Sequence, residues 1–158
     1  MPLAVPCRSL SSNWDLGRGW QRLAPLQGLT ELDLSDMHFT RLPPVLSQLT
    51  SLRALNACFC RGMTADREAW QPLEGHPCLQ TLVAVLMVDL TAVPAALSTL
   101  RGLERLDLSG CKSLTAGGGW HHLAGLTRLT RLRLANCGLG SVSPELAAQA
   151  EAGILQML

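Results

Sequence analysis

Between residues 29 and 146 the apolar positions fall into columns. With Leu29, Leu52, Leu79, Leu103 and Leu129 aligned, the third and fifth residues that follow are Leu32 and Leu34, Leu55 and Ala57, Leu82 and Ala84, Leu106 and Leu108, and Leu132 and Leu134. Inward positions two residues apart carry the period of a β-strand, so each row predicts a short strand with two core-facing side chains. Three residues further on, a column of Met37, Cys60, Met87, Cys111 and Cys137 closes each strand. The 15 to 20 residues left in each row must return the chain to the start of the next strand. Successive strands are therefore parallel, and right-handed crossovers stack them into a solenoid with the sheet on one face and the returns on the other.

The spacings between leading leucines are 23, 27, 24 and 26, so short and long rows alternate and each pair spans 50 residues. Trp20, Trp70 and Trp120 recur at that spacing of 50, as do Leu23, Leu73 and Leu123, which makes residues 20 to 29 the end of an earlier long row. Short returns carry Leu42-Pro-Pro-Val-Leu46 with Leu49, Val93-Pro94 with Leu97 and Leu100, and Val142-Ser-Pro144 with Leu146. Proline is favourable in the first turn of a short helix, where its missing N–H has no intrahelical partner to lose. Long returns end in Trp-x-x-Leu, which reads as a helix whose Trp and Leu plug the core. Gly117-Gly-Gly119 reads as a turn; without a following Lys-Ser/Thr it is no phosphate loop.

The row L-x-x-L-x-[LA]-x-x-[CM] resembles the leucine-rich repeat family. The short rows resemble its intracellular plant and disease-resistance type through the Leu-Pro-x-x-Leu ending, and Leu103-Glu-Arg-Leu-Asp-Leu-Ser-Gly-Cys111 with Leu114-Thr115 resembles the cysteine-containing rows of F-box adaptors and of some resistance proteins. The resemblance implies an α/β right-handed solenoid, a horseshoe arc with a parallel sheet on its concave face and short helices or 3-10 turns on its convex face. One domain over 1–158 is expected: a partial repeat at 1–28, repeats at 29–51, 52–78, 79–102, 103–128 and 129–146, and a C-terminal cover at 147–158 that suits a helix. Cys7-Arg-Ser-Leu10 matches Cys111-Lys-Ser-Leu114, so the chain is expected to start inside a repeat, with no room for a full strand upstream and an uncapped N-terminal edge through which it self-associates. This start suggests a fragment or a gene product lacking its first coils.

Composition narrows the function. The chain has 158 residues, 33 of them Leu, with one Ile, two Phe and no Tyr, and 12 of its 13 basic residues are Arg. That skew reads as codon bias from a GC-rich genome. A net charge of +1 with interspersed signs gives no footprint for nucleic acid. No apolar run approaches the roughly 18 residues of a membrane span. The N-terminus lacks a basic n-region and carries Pro2 and Pro6, which argues against a secretory signal, and with no Asn-x-Ser/Thr acceptor a cytoplasmic location is expected.

No catalytic constellation is evident: the chain lacks a Gly-x-Ser-x-Gly elbow and a His-Glu-x-x-His motif. Cys7, Cys60, Cys111 and Cys137 read as structural members of the turn column, expected buried, reduced and unpaired. Strand alternation turns Cys58 outward and Cys60 inward, so the two cannot hold one metal. His38, His76, His121 and His122 have no ligand partners at zinc spacing and read as solvated or partly packed. No cofactor or metal is expected.

What remains is the concave face, formed by the second, fourth and sixth residues after each leading leucine. It presents Glu31, Asp33 and Ser35, then Ala54, Asn56 and Cys58, then Thr81, Val83 and Val85, then Arg105, Asp107 and Ser109, then Arg131, Arg133 and Ala135. The surface is acidic at one end, apolar in the middle and basic at the other. Two readings of the apolar centre stand: a coil whose repeat has decayed, or a contact surface. The expected function is a non-catalytic module binding a protein ligand on this face. Glu31, Asp33, Asn56, Cys58, Thr81, Val83, Val85, Arg105, Asp107, Arg131 and Arg133 are the expected contacts. The alternative is a substrate-recognition or sensor segment of a longer chain, such as a ubiquitin-ligase adaptor or an immune receptor.

Overall fold

A computed structural model describes residues 4–5, 19–37, 40–115, 118–139 and 155–156. Among the described residues, seven strands form a single parallel sheet in chain order: β1 (Ala4–Val5), β2 (Glu31–Asp33), β3 (Ala54–Asn56), β4 (Thr81–Val83), β5 (Arg105–Asp107), β6 (Arg131–Arg133) and β7 (Leu155–Gln156). The register is uniform from β2 to β6, with Leu32, Leu55, Leu82, Leu106 and Leu132 side by side. Every inward strand position from Leu29 to Leu134 is buried, and Met37 in the turn column is partly buried. The sequence columns are thus the core, and the period-two strands stand where the alternation places them.

The ladder runs past the strand ends. The N–H groups of Leu34, Ala57, Ala84 and Leu108 donate to the carbonyls of Asn56, Val83, Asp107 and Arg133 on the next rung, at 2.7 to 2.9 Å. Each rung then turns at the seventh residue after its leading leucine. Asp36, Phe59, Leu86, Gly110 and Asn136 all take left-handed backbone there, with φ between 55 and 74°. This conformation redirects the chain while the same residue's N–H still reaches the next rung, Asp36 to Cys58, Phe59 to Val85, Leu86 to Ser109 and Gly110 to Ala135.

The returns are mostly 3-10 turns. Short returns are Pro44–Gln48 and Ala95–Thr99, introduced by Pro43 and Pro94, with Val45, Leu46, Ala96 and Leu97 buried. Long returns hold Trp20–Leu23, α1 (Arg67–Trp70) running into Gln71–Leu73, and Trp120–Leu123. A helix was expected in each long return, but only the one at Arg67–Trp70 closes an α-turn; the others tighten to 3-10 geometry, which short segments accommodate. The three tryptophans are buried, and the indole N–H of Trp70 and of Trp120 donates to Thr64 O at 2.7 Å and to Thr115 O at 3.0 Å within its own return. The unit of two rows is physical: the N–H of Leu42 and of Val93 in the short returns donates to Ala69 O and Gly118 O in the long returns that follow.

The N-terminal expectation needs correction. Matching Cys7 to the column of Met37 would set Ala4 opposite Leu34, whereas Ala4 pairs with Glu31 and Val5 with Leu32. The open edge of β2 offers a row of N–H and C=O groups, and an extended segment of any sequence can satisfy it. A strand therefore precedes β2 and covers its edge. Cys7, His38 and most of the stretch expected to form a helical cover lie outside the described residues; in that stretch Leu155–Gln156 is a strand paired to Leu132 and Arg133.

Candidate functional site

On the concave face the structure sorts the expected contacts into two groups. Asp33, Asn56 and Asp107 use a side-chain oxygen locally, accepting the N–H of Ser35 at 2.8 Å, Cys58 at 3.1 Å and Ser109 at 3.0 Å. These are Asx turns, which stiffen the approach to the left-handed residue. The Asp107 carboxylate also lies 3.9 Å from the guanidinium of Arg133. Glu31 and Arg131 are exposed at the two ends of the face and Arg105 one rung in from β6, and among the described residues none of the three has an ion-pair partner. Ala54, Thr81, Val83, Val85 and Cys58 are half-buried across the centre.

Sequence reasoning missed Phe59, which enlarges the apolar centre that Leu86 continues. Leu86 follows Val85 in the chain, and the Phe59 N–H donates to Val85 O while the Phe59 residue is 43% exposed. Left-handed backbone costs an ordinary residue about 1 to 2 kcal/mol, which Gly, Asn and Asp largely escape. Phe59 and Leu86 occupy it only because the ladder fixes where each rung must turn. Leu86 recovers part of the cost by lying over the next rung: a Cβ placed on Gly110 would come within 2.6 Å of its Cδ2. The signal was available in the sequence as a column reading Asp36, Phe59, Leu86, Gly110, Asn136, in which the second and third members are out of character.

The cysteine column has a defined role. The Cys60, Cys111 and Cys137 thiols donate to Leu34 O at 3.4 Å, Ala84 O at 3.3 Å and Leu108 O at 3.1 Å, in each case the carbonyl of the core residue five after the preceding rung's leading leucine. Cys60 and Cys111 are buried and Cys137 is half-buried. Burial pushes the Cys60 and Cys111 thiols up to about 12 and raises Cys58 and Cys137 as well. Thiolate character is suppressed across the column and also at outward-facing Cys58 beside it. Cys78, by contrast, is exposed on a return. Among the described residues no group of three or more His, Cys, Asp or Glu side chains could hold a metal ion.

A leucine-rich repeat model matches residues 28–49. Among solved structures, internalin C2 from Listeria monocytogenes is similar over 86% of this chain, at 23% identity and a TM-score of 0.63. The chain folds as a leucine-rich-repeat solenoid. It spans about half the length of that internalin, 54%. A second internalin from the same organism, inlF, covers 86% of this chain and is itself covered over 48%, at 19% identity and a TM-score of 0.47. No curated protein matches the chain. Among the described residues no helix is long and apolar enough to cross a membrane.

Within the solenoid His76 is buried rather than solvated, at 5% exposure. Its Nε2 lies 3.1 Å from Leu49 O on the preceding rung; a carbonyl only accepts, so Nε2 carries the proton and Nδ1 is left without a partner among the described residues. Burial lowers the His76 pKa below the ordinary 6.5, with the Leu49 contact acting weakly the other way. The unfolded chain therefore takes up this proton first, so the stability tied to His76 is complete above about 6.5 and is lost as pH falls from there through the lower folded value. His122, half-buried beside exposed His121, is shifted the same way by desolvation and then by its neighbour. Urea midpoints at pH 7.5 and 5.5 should fall further for the native chain than for His76→Gln, which keeps an N–H donor and cannot titrate. Equal falls would assign the acid sensitivity elsewhere.

Proposed function

We propose that this chain is a non-catalytic interaction module that holds a protein ligand on the concave face of its sheet. The observation that carries the reading is the apolar centre: half-buried Val83 and Val85, with Leu86 next in the chain and exposed Phe59 bonded through its N–H to Val85 O, stand where a solvated sheet face would be polar. Buried apolar contacts near the middle of an interface dominate affinity, while charges at the rim set orientation and encounter rate. Glu31 at one end and Arg105, Arg131 and Arg133 at the other suit that second role. Val83→Glu combined with Val85→Glu should abolish capture of protein ligands by the immobilised chain and leave its circular dichroism unchanged. Capture at unchanged affinity would move the site to the convex returns, beginning with His121 and His122.

A cytoplasmic setting is supported by the unpaired described cysteines, which a reducing compartment keeps as thiols. Within a longer chain the module would serve as the recognition segment of a ubiquitin-ligase adaptor or a disease-resistance receptor. Support for that comes from the cysteine rows and the Leu-Pro-x-x-Leu ending, whose resemblance is to repeats of those proteins.

A further inference from the structure

The charge gradient on the concave face is complementary to itself. β4 is the middle strand of seven, and β2 and β6 stand two rungs to either side of it. Two copies brought face to face can be related by a two-fold axis lying in the interface, either along the strands or across them. Across them, each rung meets its own copy with heights reversed, so with the axis at the middle outward position Asp33 meets Asp33, Asp107 meets Asp107 and Arg133 meets Arg133. Along the strands and through β4, heights within each rung are kept and the order of rungs is reversed, so β2 of one copy faces β6 of the other. The uniform register then sets Glu31 against Arg131 and Asp33 against Arg133 at both ends. One rung in, Arg105 meets Ala54 and Asp107 meets Asn56, and on the axis Val83 and Val85 meet their own copies. No like charges oppose each other in this arrangement. Glu31, Arg105 and Arg131 have no ion-pair partner within the chain among the described residues, and a net charge of +1 sets up no general repulsion between copies.

We propose that a second copy of this chain is the ligand of the concave face, docked with its rungs in reverse order about a two-fold axis along β4. This rests on the concave face being the contact surface, and it adds the identity and orientation of the partner. Five rungs at about 4.8 Å each make a face of about 19 Å, short enough for both ends to engage at once.

Sedimentation velocity of the full chain tests it. The native chain should form a dimer that weakens as salt rises, because the end contacts are exposed ion pairs. Glu31→Arg with Asp33→Arg makes both ends basic, and Arg131→Glu with Arg133→Glu makes both ends acidic. Each double variant alone should lose dimer affinity by more than about tenfold. An equimolar mixture of the two should restore it, since basic ends then face acidic ends in both directions. The mixture guards against misfolding, which no partner would rescue. A monomeric native chain, or a dimer that both variants form at native affinity, overturns the proposal. If the chain is monomeric while Val83→Glu with Val85→Glu still abolishes capture of other proteins, the self-docking is wrong and the concave site stands. If capture survives that variant as well, the site itself is wrong.

Discussion

Replacing Trp70 by Ala is expected to lower the stability of the chain by about 3 to 5 kcal/mol, the usual cost of removing a buried aromatic side chain. The indole has no exposed surface, fills the long return between α1 and the sheet, and gives its N–H to Thr64 O at 2.7 Å. Trp70→Phe separates the two contributions. It keeps most of the apolar volume and removes the donor, so it should cost about 1 to 3 kcal/mol. A solenoid buries each coil only against its neighbours, so a defect in a central return weakens the coupling between the rungs before and after it. Urea unfolding of Trp70→Ala should therefore be broader as well as earlier. A midpoint unchanged from the native chain would place the ring at the surface, contrary to its packing.

The inward columns were legible because burial of alternate residues is the one constraint that every rung repeats. Leucine, with Ala57 and Ala84, fills the core positions of the strands, the Trp and Leu pairs fill the long returns, and their period of 50 gives away the two-row unit. Hydrogen bonding was less legible. The cysteine column could be read as small buried side chains, but a thiol that donates to the preceding rung is a contact across 26 to 29 residues, and no local pattern records it. Asp33, Asn56 and Asp107 looked like ligand-facing polar groups because outward position was the only criterion; their acceptors turn back to the N–H two residues on. The left-handed column was hidden in a similar way, since tertiary register, and not the propensity of Phe59 or Leu86, decides where the turn falls. β1 was missed because a two-residue strand has no alternation to detect and its register follows the edge it joins.

That same close stacking of returns makes Gly119→Ala the second severe change, with an expected loss of about 2 to 4 kcal/mol from left-handed backbone and overpacking together. Gly119 has φ +75°, and a Cβ there would sit 2.7 Å from Val93 O on the preceding return and 3.1 Å from the His122 ring. Backbone oxygen cannot rotate away as a side chain can. Relief requires the two returns to separate, which strains the Val93 N–H to Gly118 O bond of 2.6 Å that ties the short row to the long one. Gly28→Ala is the matched control, because its backbone lies outside the left-handed region and nothing stands within 4 Å of the added methyl. It should be neutral or stabilise by up to about 1 kcal/mol, through the reduced freedom of the unfolded chain. Urea midpoints of the two variants measured side by side decide the matter: if Gly119→Ala costs no more than Gly28→Ala, the glycines before Trp120 are a tolerant loop and not a contact between neighbouring rows.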